Sequence, residues 1–241
     1  MLKKILAIVG TTTVLLAVGF TGYVWWLLQP RPEPRPLPAG TISATTPDGQ
    51  ALLVGAEASA DYPLLAGSFE PQSLKSFCGV ASGAMVLSAL GRDVTQGSFF
   101  TGDARRMRSR LRVTLGGMTL TDLAELLRAH GARVSIHHAD AFTVEQFRAV
   151  VSQNLSRPDD FLLVNYQREV LGQNRVGHIS PLAAYDRDAD LVLVMDTASH
   201  HYPHSWVPLE RLHAAMATTD STSGEKRGYL EVTGLEEPPH P

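Results

Sequence analysis

Apolar residues recur through the middle of the chain with the three- to four-residue spacing of amphipathic helices. The first such segment runs from Cys78 to Leu90 and stops at Gly91, a residue type that commonly ends helices. A second segment covers Leu120–His130, and a third opens at Thr143, with Gln146 placed to complete a capping box. The pattern therefore predicts helices in the first part of the folded region.

The pattern then changes to short apolar runs of strand length that are bounded by turn residues. These runs predict β-strands at Phe161–Tyr166, His178–Tyr185, Leu191–Met195 and Tyr229–Val232. Helices that come first and strands that follow are typical of an α+β fold rather than of a doubly wound parallel sheet. We therefore expect a helical subdomain packed on an antiparallel sheet.

An uncharged and mostly apolar stretch of 24 residues precedes this region, from Ile5 to Leu28. A helix that crosses a bilayer core needs about 20 residues, whereas the apolar region of a cleavable signal peptide has about 7 to 15. The stretch ends in Tyr23, Trp25 and Trp26, which resemble an aromatic membrane-interface belt. We predict an uncleaved anchor with the folded domain on the periplasmic or extracytoplasmic side. The alternative is a cleaved signal peptide and secretion to the periplasm.

Prolines alternate with polar residues in the next segment, QPRPEPRPLPAG, from Gln29 to Gly40. Because proline lacks a backbone donor and restricts the chain, we expect this segment to run as an extended spacer. The predicted organisation is an anchor or signal peptide over 1–28, a Pro-rich linker and lead-in segment over 29–62, a folded domain over 63–234 and a C-terminal tail over 235–241.

The charge of the chain argues against a nucleic-acid partner. The formal net charge is −3 and the isoelectric point is near 6.3, and the basic residues are scattered rather than gathered on one face. His200, His201 and His204 are of a type that binds zinc, but neither a cysteine nor a well-placed carboxylate accompanies them. We therefore expect loop histidines there and no metal site.

The chain contains a single cysteine, Cys78, at the start of the first predicted helix. It has no partner for an internal disulfide, so an inert buried thiol and a reactive thiol are both open interpretations. A helix N-terminus presents free N–H groups and a partial positive charge, and both favour the nucleophilic thiolate. Gln72, shortly before it, is placed to swing its amide beside the sulfur and donate to an oxyanion.

A nucleophilic thiolate also needs a base, for which histidine is suited near neutral pH. If the turn Asp186–Asp190 is centred near Asp188, His178 lies opposite residue 198, and Asp196 lies diagonally from it on the same face. Asp196 would then hold the imidazole in one tautomer and orientation. Taken singly, His178 could be a core histidine and Asp196 a turn residue; together with the cysteine they favour a Cys-His-Asp triad.

Several segments resemble the phytochelatin synthase family, papain-fold enzymes that act on glutathione. They are QSLKSFCGVASGAMVLSALG around the cysteine, GGMTLTDLAELLRAHG, VNYQREVLGQNRVGHISPLAAYDRDADLVLVMDTA and TTDSTSGEKRGYLEV, which cover most of residues 66–233. The resemblance implies a papain-like cysteine protease fold with the nucleophile at a helix N-terminus. It also implies a catalytic set of Cys78, His178, Asp196 and the oxyanion-hole residue Gln72, and a substrate-binding set of Asn165, Gly177, Asp220 and Arg227.

The resemblance further implies a reaction. The Cys78 thiolate attacks the carbonyl of the internal cysteine of glutathione and expels glycine, and the γ-glutamylcysteinyl group passes to water or to a second glutathione. No cofactor is required, although Cd2+ or Zn2+ held as glutathione thiolates are expected to stimulate transfer. The sequence has no cysteine-rich C-terminal extension, so hydrolysis with limited transfer is the expectation.

Two other interpretations remain open. A cysteine peptidase of the bacteriocin-leader-processing type also resembles this chain, in having a glutamine shortly before Cys-Gly, and would act on extended peptides. A membrane-tethered binding domain with an inert thiol would perform no chemistry. The sequence does not predict an oligomeric state.

Overall fold

The structure, a computed structural model, describes residues 2–236, with side chains from residue 13 onward. The helices are α1 Leu2–Leu28, α2 Pro47–Gly55, α3 Tyr62–Gly67, α4 Cys78–Ala89, α5 Ala104–Met107, α6 Arg110–Gly116, α7 Leu120–Ala129, α8 Val144–Asn154 and α9 Leu209–Met216. The strands are β1 Ile42–Ser43, β2 Ala132–His138, β3 Phe161–Gln167, β4 Gly177–Asp186, β5 Leu191–Val194, β6 Ser205–Pro208 and β7 Gly228–Leu235. A short 3-10 helix, Arg168–Leu171, follows β3.

The described strands form one sheet in the order β1-β6-β5-β4-β3-β7-β2, and each neighbouring pair is antiparallel. Helices pack on it, and two clusters of buried apolar side chains form the core. The expected α+β class with an antiparallel sheet is therefore confirmed. All four predicted strands lie within observed ones, β3, β4, β5 and β7, apart from the last residue of the third, Met195.

Small residues of helix α4 allow neighbouring side chains to pack closely against it. A Cβ added at Gly83 would lie 2.8 Å from the ring of Phe99, and one at Gly79 would lie 2.6 Å from the sulfur of Met118. Ser82 donates to the carbonyl oxygen of Ile179 over 3.0 Å. This contact joins α4 to the start of β4.

The β4–β5 hairpin turns through residues 187–190, as the sequence predicted. Near the turn Asp186 pairs with Leu191, and the register shifts by one residue between Ala184 and Leu182, where Leu182 pairs with Val194. Extended towards the strand's beginning, the shifted register places His178 opposite residue 198, which is the expected relation. The one-residue register shift therefore brings His178 opposite residue 198 at the end of the hairpin away from the turn.

The proline-rich segment does not stand away from the domain as a free spacer. The N–H groups of Glu33 and Arg35 donate to the carbonyl oxygens of His200 and His201 over 3.1 and 2.8 Å. Towards its end, Arg211 donates to the carbonyl oxygen of Ala39 over 2.8 Å. The segment is extended because of its prolines, but it lies along the domain as a strap, a name we use below for residues 29–40.

The predicted membrane anchor is not supported. The apolar stretch Ile5–Leu28 does form a helix, as the body of α1. In the described part of the chain, however, no helix combines the length and the apolar character that crossing a bilayer requires. The cellular location of the domain stays a prediction. Most of the expected C-terminal tail, residues 237–241, falls outside the described residues.

Candidate active site

Cys78 is the first residue of α4 and lines a cavity of the described structure. At this position its backbone N–H has no partner within the helix, so the N–H and the helix dipole both face the region of the thiol. Phe77, which precedes it, is fully buried and fixes the entry of the chain into the helix. The predicted nucleophile is therefore placed at a helix N-terminus that opens into a cavity.

His178 and Asp196 meet as the hairpin geometry predicted. Nε2 of His178 lies 2.9 Å from Oδ1 of Asp196, and both side chains are almost completely buried. The Asp196 oxygen also accepts the N–H of Ala198 over 2.8 Å, and the ring of Tyr166 stands edge-on to the imidazole at 5.7 Å. These contacts restrict the orientation of the imidazole. Because Nε2 faces Asp196, Nδ1 is the ring nitrogen that remains to interact with the thiol.

The charges of these groups shift one another's pKa. Burial alone would raise the pKa of the Cys78 thiol, but the charge and hydrogen bond of His178, with a backbone hydrogen bond at Ile179, bring it below its ordinary value. Burial and Arg168 lower the pKa of His178, yet the Asp196 and Cys78 charges raise it overall. The arrangement therefore favours a thiolate beside an imidazolium.

Arg168 is a buried residue of this network that the sequence analysis missed. One of its terminal nitrogens lies 2.6 Å from both oxygens of Asp196. Although burial tends to raise the pKa of Asp196, the charges of Arg168 and His178 hold it well below its ordinary range. Its position follows from the sheet, in which Tyr166 pairs with His178 and Arg168 comes two residues later, and this pairing cannot be derived from the sequence alone.

Gln72 lines the cavity, but its amide is engaged elsewhere. Its Nε2 donates to the carbonyl oxygens of Leu74 and Lys75 over 3.0 and 2.9 Å, and its Oε1 is buried without a partner. An oxyanion could receive a hydrogen bond from this amide only if one of these bonds were released. Its oxyanion role stays a prediction, and the N–H of Cys78 is a second donor at the same place.

The predicted substrate-binding residues form a cluster on β3, the start of β4 and the loop before β7. Arg227 donates to Oδ1 of Asn165 over 2.7 Å and to Oδ2 of Asp220 over 3.0 Å, and the three side chains are buried. A Cβ at Gly177 would lie 2.6 Å from a terminal nitrogen of Arg227. Gly177 is therefore needed so that the guanidinium can lie flat against the strand. We call these four residues the Arg227 cluster.

The cavity has a volume of about 580 Å³, within the range of small-molecule sites. Of the predicted residues, all but Asp196 line it, and Asp196 lies behind His178. The structure therefore brings the predicted nucleophile, base and substrate-binding residues to one place.

The three histidines of the HHYPH segment are separated. His200 and His201 line the cavity, whereas the His204 ring packs edge-on against Phe69 at 4.4 Å. Burial and the neighbouring His201 lower the pKa of His200 to about 4, so it is neutral at physiological pH. Across residues 2–236, no group of three or more His, Cys, Asp or Glu side chains is arranged to hold a metal ion.

Comparison with known proteins places this site in a family. Residues 33–229 match the family model described as Phytochelatin synthase. The chain belongs to the phytochelatin synthase family. A glutathione gamma-glutamylcysteinyltransferase 3 of Lotus japonicus is 32% identical over 209 residues, which are 82% of this chain and 43% of that relative. A glutathione gamma-glutamylcysteinyltransferase 1 of Triticum aestivum is 35% identical over 173 residues, 68% of this chain and 34% of that relative.

A more distant phytochelatin synthase relative comes from a fission yeast. The glutathione gamma-glutamylcysteinyltransferase of Schizosaccharomyces pombe is 28% identical over 186 residues, 75% of this chain and 44% of that relative. The matched region is thus between about a third and somewhat under half of the length of these three relatives. The shared part contains Cys78, His178, Asp196 and the Arg227 cluster.

Proposed function

We propose that this chain is a papain-like cysteine acyltransferase and hydrolase that cleaves the Cys-Gly bond of glutathione. One observation carries the proposal: Cys78, the first residue of α4, lines the same cavity as His178, whose Nε2 lies 2.9 Å from Asp196. Cysteine, histidine and a carboxylate in this order are the groups that acyl transfer requires. The names of the family relatives, which identify transferases of a γ-glutamylcysteinyl group, indicate the substrate.

The first half-reaction forms a thioester. The Cys78 thiolate attacks the carbonyl carbon between cysteine and glycine, and the carbonyl electron pair moves to oxygen, where the Cys78 N–H donates to it. When the oxyanion collapses, the C–N bond breaks and the imidazolium of His178 gives its proton to the departing nitrogen. Glycine leaves, and a γ-glutamylcysteinyl group remains on the sulfur.

The second half-reaction removes this group. Neutral His178 takes a proton from water or from the amino group of a second glutathione, whose oxygen or nitrogen attacks the thioester carbonyl, and the thiolate is released. Water gives γ-glutamylcysteine, and glutathione gives a phytochelatin with two γ-glutamylcysteine units. In this proposal Cd2+ or Zn2+ enters with the substrate, as a glutathione thiolate.

The Arg227 cluster supports a γ-glutamyl substrate over an extended peptide. A γ-glutamyl group carries a free amino group and a free carboxylate on one carbon. Asp220 and Asn165 offer oxygens to the ammonium, and the guanidinium of Arg227 offers a paired donor to the carboxylate. An extended peptide chain has neither charge at that place, so it would leave this buried pair without a matching ligand.

Mass spectrometry of the full chain with glutathione tests the proposal. We expect glycine, γ-glutamylcysteine and a smaller amount of the transfer product, and an intact-protein mass raised by one γ-glutamylcysteinyl group during turnover. Cys78→Ala should abolish every product and the added mass. Full glycine release by that variant would refute the mechanism, and cleavage of a double-glycine leader peptide but not of glutathione would favour the peptidase interpretation.

A further inference from the structure

The cavity contains one cation that neither the catalytic network nor the Arg227 cluster uses. Three lysine and arginine side chains line the cavity: Lys75, Arg168 and Arg227. Arg168 is held by both oxygens of Asp196, and Arg227 is held by Asp220. Within residues 2–236, no carboxylate lies at ion-pair distance from the ammonium of Lys75. Lys75 is therefore an unneutralised positive charge at the cavity wall.

The backbone of Lys75 is fixed although its side chain is exposed. Its N–H donates to the carbonyl oxygen of Leu28 over 3.1 Å, and its own carbonyl oxygen accepts from Gln72 over 2.9 Å. It stands in a turn closed by a 3.0 Å hydrogen bond from Phe77 to Leu74, directly before Cys78. The turn therefore holds the base of the lysine side chain a few residues from the nucleophile, and the flexible stem leaves the ammonium free to reach a ligand.

The hydroxyl of the neighbouring residue in the turn is not available to a ligand in the same way. The hydroxyl of Ser76 donates to the carbonyl oxygen of Thr114 over 2.8 Å. His200, which also lines the cavity, is kept neutral at physiological pH because burial lowers its pKa to about 4. Lys75 is thus the cation in this part of the wall that is left to bind an anion.

The proposed substrate carries one charge more than the Arg227 cluster can match. Glutathione has an ammonium and a carboxylate at its γ-glutamyl end, which suit Asp220 and Arg227, and a second carboxylate on glycine. One extended residue spans at most about 3.6 Å, so this second carboxylate lies a single residue beyond the carbon that Cys78 attacks. A carboxylate taken from water into such a cavity requires a cation or several donors.

We propose that Lys75 binds the terminal carboxylate of the departing amino acid. This inference rests on the proposed function and narrows it: the substrates are small γ-glutamyl peptides that end one residue after the attacked carbonyl. An amide at that end removes the negative charge that Lys75 would bind. A further residue moves this charge away from Lys75. The site is therefore selective for a free carboxyl end, in contrast to an endopeptidase.

The test compares glutathione with its glycinamide analogue, in which the terminal carboxylate is a neutral amide. The full chain is assayed as wild type, Lys75→Met, Lys75→Arg and the control Arg106→Met, which removes an exposed charge from α5 away from the cavity. Release of glycine from glutathione, or of glycinamide from the analogue, is followed by mass spectrometry. A charge-assisted hydrogen bond predicts that wild type prefers the acid by about tenfold or more in kcat/KM.

Lys75→Met should lower kcat/KM for glutathione by about tenfold and leave the amide unchanged, so the preference disappears. Lys75→Arg and Arg106→Met should keep the preference. If wild type cleaves glutathione but Lys75→Met retains the wild-type preference for the acid, this inference is overturned and the proposed function stands. If wild type releases neither glycine nor glycinamide, the proposed function itself fails.

Discussion

The charge state of Cys78 depends on two side chains from the hairpin and on Arg168 beside them. Because the pKa of the thiol is lowered and that of His178 is raised, the two groups favour a thiolate–imidazolium ion pair. The thiolate appears at a lower pH than in a free cysteine, and the imidazolium persists to a higher pH than in a free histidine. Asp196 supports both shifts through the imidazole.

Alkylation of the protein measures this state directly, since Cys78 is the single cysteine of the chain. At pH 6 a free thiol is only about 0.3% thiolate, so iodoacetamide should modify Cys78 about ten times faster or more than it modifies free cysteine. Asp196→Asn should move the reactive range to higher pH, because the imidazolium loses its carboxylate partner. The exposed control Asp188→Asn should leave the profile unchanged. A wild-type profile equal to that of free cysteine would contradict the ion pair.

At this scale the sequence predicted residues whose chemistry is distinctive and missed those whose role depends on position. A lone cysteine before a helix and a histidine with an aspartate on one hairpin could be recognised by type and spacing. Arg168 could not, because an arginine after a strand is ordinarily a solvent-exposed residue. Its burial follows from the pairing of β3 with β4, which requires knowledge of the sheet order.

The helices and strands that have strong local sequence signals were predicted well. Thr143 and Gln146 form the expected capping box at the start of α8, and α4 begins at Cys78 and ends within one residue of the prediction. The strand β2 was missed, although Val134 and Ile136 alternate there with polar residues, because the run is only partly buried at the sheet edge. The apolar run at the N-terminus correctly predicted a helix, but such a run does not determine what surrounds it.

The first residue of β4 provides a test of how an element positions the Arg227 cluster. A methyl group at Gly177 would lie 2.6 Å from a terminal nitrogen of Arg227, whose guanidinium Asn165 and Asp220 hold in place. We therefore expect Gly177→Ala to displace the guanidinium and raise KM for glutathione by about tenfold, which corresponds to roughly 1.4 kcal/mol of binding.

The maximal rate of Gly177→Ala should stay within about threefold of wild type, since Cys78, His178 and Asp196 are unchanged. Steady-state kinetics of glycine release separates the two parameters. Gly67→Ala, which ends α3 and has no heavy atom within 4 Å of the added Cβ, is the matched control. An unaltered KM in Gly177→Ala would show that Arg227 does not bind the substrate.

At the scale of the whole molecule, the strap connects the N-terminal helix to the wall of the cavity. Leu28 ends α1, lines the cavity and accepts the N–H of Lys75, and the following residues lie along the His200–His201 loop. Composition predicted the extended conformation of the strap but not its docking. Prolines fix the backbone dihedrals of a segment, whereas its contacts depend on which of its few remaining N–H groups meet a carbonyl.

Amide hydrogen exchange of the full chain distinguishes a docked strap from a free linker. The N–H groups of Glu33 and Arg35 donate to the loop at His200 and His201, so they should exchange about 10- to 100-fold more slowly than in an unstructured peptide. The N–H of Arg31, in the same segment but with no hydrogen-bond partner among the described residues, should exchange at the rate of such a peptide. Equal rates at the three positions would mean that the strap is undocked in solution. Protection at Glu33 and Arg35 alone would indicate that the docked strap, and with it the Leu28 wall beside Lys75, belongs to the folded domain.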